Sequence, residues 1–156
     1  MLLFLDIDGV MVPAKGWKSP DFLEDGFPAF SIRAIAALQN LVSKNGVTVM
    51  LTTSHKSNYS IDEWKNIFKN RGINISHLET LPANYANHNR KDEIMDWLTH
   101  NNRNDESFII IDDDKSLNSL SGYLKERLIQ TSPYIGLTEE HLGIIYSILQ
   151  KDSQPR

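Results

Sequence analysis

Two aspartates stand one residue apart at the end of an apolar run, Leu2-Leu3-Phe4-Leu5-Asp6-Ile7-Asp8-Gly9-Val10. In an extended chain, residues i and i+2 point the same way, so Asp6 and Asp8 converge on one point. Gly9 then lets the backbone turn sharply. Two adjacent carboxylates repel each other, and a hard, oxygen-seeking cation such as Mg²⁺ relieves that repulsion. The plainer alternative is a strand followed by an Asp-rich turn, since Asp and Gly are common turn residues.

Three further polar clusters sit at the ends of apolar runs or at a helix start. Thr52-Thr53-Ser54-His55-Lys56 follows Val47-Thr48-Val49-Met50-Leu51. Hydroxyls and a cation at a strand end suit the oxygens of a phosphate, although Ser and Thr are also frequent in turns. Arg90 and Lys91 open a predicted helix. Cations there oppose the helix dipole at about 0.3–1 kcal/mol each, which suits either a role at a site or two solvated cations balanced by Asp92 and Glu93. Finally, Phe108-Ile109-Ile110-Ile111 runs into Asp112-Asp113-Asp114. Three adjacent anions disfavour one another without a cation or a basic partner, so this repeats the logic of the first run.

The elements that must position these clusters alternate along the chain. The first run has no polar alternation, which reads as a strand buried on both faces. Ser31 is a plausible N-cap for a helix to about Asn45, and residues 47–51 form a second buried strand. Ser60-Ile61-Asp62-Glu63 reads as a capping box for a helix stopped by Gly72. A third strand is expected within residues 73–81, and Asn89 caps a helix through His100. Residues 108–111 and Leu128-Ile129 supply two more strands, and Thr138 opens a final helix. The pattern predicts an α/β, Rossmann-like parallel sheet of about five strands with helices on both faces. All the polar clusters then lie at the strands' carboxyl ends, where such sheets bind ligands.

Residues 10–30 interrupt this pattern with Pro13, Gly16, Pro20, Gly26 and Pro28 among Trp17, Phe22, Phe27 and Phe30. The prolines exclude a regular helix or central strand, and the aromatics require packing, so a flap-like insertion is expected. With 156 residues, 40% apolar and 23% charged, one domain over 1–150 with a polar tail at 151–156 is expected. The chain has no cysteine, which excludes disulfides, thiolate-held zinc and thiol nucleophiles and favours a reducing, cytoplasmic setting. No run approaches a membrane span, and the N-terminal run is too short for a signal sequence. The net charge of −4 argues against a general nucleic-acid coat but not against a local basic rim.

Together these residues resemble the haloacid dehalogenase-like (HAD) phosphohydrolases. Asp6-Ile7-Asp8-Gly9-Val10 resembles their first motif, Leu51-Thr52-Thr53-Ser54 the second, Arg90 or Lys91 the basic third, and Ile111-Asp112-Asp113 the acidic fourth. All four occur in the family's order. A closer resemblance, to the compact HAD domains associated with RNA-repair proteins, rests on Arg90-Lys91-Asp92-Glu93-Ile94, Trp97-Leu98, Ile111-Asp112-Asp113-Asp114 and Gly136-Leu137-Thr138. The chain departs from that pattern at Lys91, where Gly is common, and at His55, where Trp is common. Direct alignment favours Arg90 over Lys91 as the third-motif cation.

The resemblance implies a capless phosphomonoester hydrolase. Asp6 would attack phosphorus to give an aspartyl-phosphate, and Asp8 would act as general acid and then base. Mg²⁺ would be held by Asp6, the backbone carbonyl of Asp8, and Asp112 or Asp113. Thr52, with Thr53 beside it, and Arg90 or Lys91 would bind the phosphate oxygens. The expected substrate is an end-phosphorylated nucleic acid, met by a rim of Lys15, Lys18, Lys56, Arg90, Lys91 and Lys115 and stacked on Trp17, Phe22 and Phe27. The alternatives are a small phosphometabolite and a non-catalytic phospho-ligand binding module. The sign of the last would be loss of Asp6 or Asp8, and both are present.

Overall fold

A computed structural model of the chain describes residues 1–14, 19–101 and 106–153. β1 (Leu2–Leu5) is buried at all four positions, which is why its sequence does not alternate. Leu3 and Leu5 pack on one face with Val49, Leu51, Ile109 and Ile111. Leu2 and Phe4 pack on the other with Met50, Phe108 and Ile110. One strand therefore feeds two cores.

β1 lies centrally in a five-stranded sheet with β2 (Thr48–Leu51), β3 (His77–Thr80), β4 (Phe108–Asp112) and β5 (Leu128–Gln130), in the order β3-β2-β1-β4-β5. Every pairing is parallel. The chain steps outward from β1 to β3 and then returns to build β4 on β1's other side. The carboxyl ends of β1 and β4 thus flank the point where the order reverses, the usual ligand crevice of such sheets.

Helices cover both faces. α1 (Ile32–Val42), α2 (Ile61–Lys69) and α5 (Leu142–Ser153) bury Ala34, Leu38, Trp64, Phe68 and Ile145 against the first core. α3 (Arg90–Asn101) buries Ile94 and Trp97 against the second, joined by Leu124 of the short α4 (Gly122–Glu126). The expected caps form. Ser31 Oγ accepts from Ala34 N, Ser60 and Glu63 bond reciprocally, and Asn89 Oδ1 accepts from Asp92 N at 2.9 Å.

Several elements differ from the sequence reading. α1 stops at Val42, because Ser43 caps it with its backbone N–H on Gln39 O and its hydroxyl on Asn40 O. α4 was not expected, since five residues are too few to show a helical period. The last helix is preceded by a 3-10 turn at Glu139–His141, so its regular part begins at Leu142.

The insertion is anchored to the core rather than draped over it. Phe22 and Pro28 form an antiparallel bridge. Phe27 is buried, with its ring edge-on to those of Phe30, Tyr59 and Trp64. Arg71, at the end of α2, closes the loop. Its guanidinium bonds Asp25 at 2.6 Å and the carbonyls of Phe27, Pro28 and Ile67. The expected stacking role of Phe27 is therefore corrected: a ring this buried belongs to the core. Phe22 is 61% exposed, whereas Trp17, Lys15 and Lys18 lie outside the described residues. Among the described residues, no helix is long and apolar enough to cross a membrane, and neither the insertion nor the β2–α3 stretch builds a separate cap domain.

The Arg71–Asp25 pair generates a prediction with a definite pH sign. Hydrogen bonding to Arg71 holds the Asp25 carboxyl well below the usual carboxylate range. A depressed carboxyl contributes stability above its unfolded pKa and loses it as pH falls toward the folded value. Arg71→Met removes the guanidinium from Asp25 and from three carbonyls, leaving Asp25 with the neutral donors Asn70 Nδ2 and Phe27 N, and is expected to cost about 2–3 kcal/mol at pH 7. In thermal denaturation that is a drop of roughly 5–10 °C. The gap between wild type and variant should narrow below about pH 4.

Candidate active site at the carboxyl ends of β1 and β4

The register of β1 on β4 carries the first and fourth clusters to one place. Leu5 pairs with Ile111, and Asp6 N donates to Ile111 O at 3.1 Å. Asp6 and Asp112 follow side by side, both buried. Asp113 joins them, and one carboxylate oxygen from each of the three lies within 4.8 Å of the others. Asp113 reaches in because residue 9 is glycine. A Cβ there would collide with its carboxylate, and Gly9 holds φ near +80°, a conformation costly for residues with a side chain. Thr131 Oγ1 fixes this turn from β5's end by donating to Gly9 O at 2.7 Å.

The second and third clusters meet the acids from the other side. Thr52 is buried at the end of β2, and its Oγ1 donates to Asp112 Oδ2 at 3.2 Å. Arg90 Nη1 bonds Asp112 Oδ2, lies 3.2 Å from Thr52 Oγ1, and is 3.4 Å from Asp6 Oδ1. One guanidinium thus faces two of the three clustered carboxylates. Burial, and then repulsion from Asp112, push the Asp6 carboxyl up to about 9. Burial also raises Asp112, against the pull of Arg90. For Arg90 itself, burial opposes the charge, but Asp112 and Asp6 outweigh it and hold the guanidinium more firmly protonated.

Arg90 is itself supported. Glu93, one turn along α3, faces its Nε at 3.8 Å through Oε1 and the buried Lys56 Nζ at 2.9 Å through Oε2. Lys56 is 5% exposed, so it is a structural counter-charge and not part of an exposed rim, a correction to the sequence reading. Neither role was read from the sequence. The Arg90–Glu93 spacing is a recognisable helical ion-pair spacing, whereas nothing local shows that Lys56 is buried.

The remaining candidates stand apart from this centre. Asp8 is 61% exposed at its side chain, and its Oδ2 lies 2.9 Å from His55 Nε2. Thr53 is buried, and its Oγ1 accepts from His55 N. Lys91 follows Arg90 on α3, and its backbone N–H donates to Ser116 Oγ. Among the described residues, the cation paired with Asp6 and Asp112 is Arg90. Lys115 is exposed at the same edge.

A family model matches residues 2–142, that of the HAD domain in Swiss Army Knife RNA repair proteins. The chain belongs to this family. No curated protein matches it. Membership in this HAD family points to phosphatase-type chemistry, and HAD domains generally use Mg²⁺. The donors present fit such an ion: three oxygen ligands, no sulfur, and more negative charge than one guanidinium balances.

Two outcomes follow for the protein without metal. A carboxyl whose folded pKa is raised stabilises the fold below its unfolded pKa, and that contribution is lost as pH rises toward about 9. Asp6→Asn removes the cost, so in EDTA its melting temperature should exceed wild type, by more at pH 8 than at pH 5. Glu93→Gln leaves Lys56 buried without an anion and is expected to cost about 3 kcal/mol in denaturant unfolding.

Proposed function

We propose that this HAD domain is a Mg²⁺-dependent phosphomonoester hydrolase that acts through an aspartyl-phosphate. The observation that carries the reading is the single cluster of Asp6, Asp112, Asp113, Thr52 and Arg90 at the switch point of the sheet. Asp6 is the nucleophile. Its carboxylate oxygen bonds phosphorus while the bond from phosphorus to the leaving oxygen breaks. Arg90, within 3.4 Å of Asp6, favours the ionised form that attacks and, with Thr52, binds the non-bridging phosphate oxygens. Asp8, two residues after the nucleophile and largely exposed, gives a proton to the leaving oxygen and later takes one from the hydrolytic water. Asp6, the backbone carbonyl of Asp8, and Asp112 or Asp113 would hold the Mg²⁺, which when bound supplies charge neutralisation between the nucleophile and the phosphate.

The RNA-repair membership supports an end-phosphorylated nucleic acid as substrate, reached through an edge that no cap domain encloses among the described residues. Among the described residues, Arg90, Lys91 and Lys115 remain as its basic groups. The burial of Lys56 and Phe27 removes two of the features that favoured a polymer, so a small phosphometabolite is the second reading.

The test compares a 3′-phosphorylated oligonucleotide with the matching mononucleotide in Mg²⁺. Turnover should vanish in EDTA and in Asp6→Asn. The oligonucleotide should show the higher kcat/KM, by a margin that shrinks as salt rises. Equal rates on the two would leave a general phosphomonoesterase, and full activity in metal-free protein would remove the Mg²⁺ scheme.

A further inference from the structure

Asp6 is locked among buried partners, whereas Asp8 is largely exposed and bonded by its Oδ2 to His55 Nε2 at 2.9 Å. An ionised carboxylate only accepts, so the ring must carry its proton on Nε2 to bond it. His55 itself is restrained from two directions. Its backbone N–H donates to Thr53 Oγ1 at 3.3 Å. Its ring stands edge-on to Phe27, with centroids 5.9 Å apart and planes at 86°. Phe27 cannot shift easily, because Trp64 lies 5.4 Å from it and Arg71 grips its carbonyl and the neighbouring Asp25. The insertion thereby reaches the second aspartate of the first motif through two side chains.

We infer that His55 is a positioning residue for Asp8, and that the insertion acts on the reaction by fixing His55. The inference rests on the hydrolase reading above. An exposed aspartate samples several rotamers, and ordering it costs entropy at the moment of proton transfer. A hydrogen bond from an anchored ring selects one rotamer in advance. With Oδ2 engaged, Oδ1 is the oxygen that exchanges protons with substrate. As the bond from phosphorus to the leaving oxygen breaks, its electron pair stays on that oxygen, which receives the Oδ1 proton. In the second step water's oxygen bonds phosphorus, its proton passes to Oδ1, and the Asp6 oxygen leaves.

Positioning of this kind matters only where the leaving oxygen needs a proton. An alkyl phosphate does, whereas p-nitrophenolate departs without one. The experiment measures kcat and KM for an alkyl phosphate and for p-nitrophenyl phosphate with wild type, His55→Ala and His55→Gln. The glutamine amide offers a donor at similar reach. His55→Ala is expected to lower kcat on the alkyl ester about tenfold, the scale of a hydrogen bond to a charged group. KM and the aryl rate should change little, and His55→Gln should recover most of the loss. Equal losses on both esters, no loss, or no recovery with glutamine would each overturn the positioning role while leaving the hydrolase intact. No turnover by the wild type of either ester or of the 3′-phosphorylated oligonucleotide would overturn the hydrolase reading and this inference with it. Long-range ¹H–¹⁵N NMR gives a readout besides activity. The neutral ring should carry its proton on Nε2 in the wild type, and the share protonated on Nδ1 should rise in Asp8→Ala. A ring protonated on Nδ1 in the wild type would also overturn the inference.

Discussion

Three clustered carboxylates, two of them paired with one guanidinium, are the constraint on which the rest of the structure depends. The sheet forces the arrangement. Once Leu5 is paired with Ile111 and Asp6 N is bonded to Ile111 O, Asp6 and Asp112 must lie side by side, both buried. Neither can move away without breaking the two central strands, and those strands feed both cores. The repulsion is therefore retained at the expense of stability, as functional sites often do.

Much of the surrounding structure serves to contain that charge. Arg90 enters from the start of α3, against the direction the helix dipole favours. Its position is maintained by Glu93, and Glu93 is in turn balanced by Lys56 from the turn after β2. The chain of charges runs from β4 through α3 to β2, so three elements are tied together by electrostatics as well as by packing. Buried pairs of this kind add little net stability but are costly to break. What they secure is the orientation of a cation toward the acids.

The insertion after β1 is a second support, built from apolar packing and one buried arginine. Its aromatic ring sits among Phe30, Tyr59 and Trp64, and Arg71 satisfies carbonyls that a loop without secondary structure would otherwise leave unpaired. A loop satisfied in this way is rigid enough to hold a neighbouring side chain in place. In a domain whose described residues form no cap, such loops and the β3–α3 connection frame the open edge of the site.

By itself, the sequence determined the architecture and the sites where chemistry gathers. Unbroken apolar runs at Leu2–Leu5 and Phe108–Ile111 require strands buried on both faces, and caps at Ser31, Ser60 and Asn89 begin helices whose apolar spacing leaves few other folds. Because parallel strands end on one edge, it was legible from order alone that Asp6, Thr52, one of Arg90 and Lys91, and one of Asp112 and Asp113 gather there. Tertiary structure decided what local pattern cannot carry. Lys56 and Arg71 look like surface cations until Glu93 and Asp25, distant in sequence, meet them in the interior. Phe27 reads equally as an exposed or a core ring until Trp64 closes on it. The choice between Arg90 and Lys91 is a matter of about 100° around a helix, and only the packing of α3 on the sheet turns Arg90 toward Asp112. In each case the missing information was a contact between remote residues, which sequence spacing does not encode.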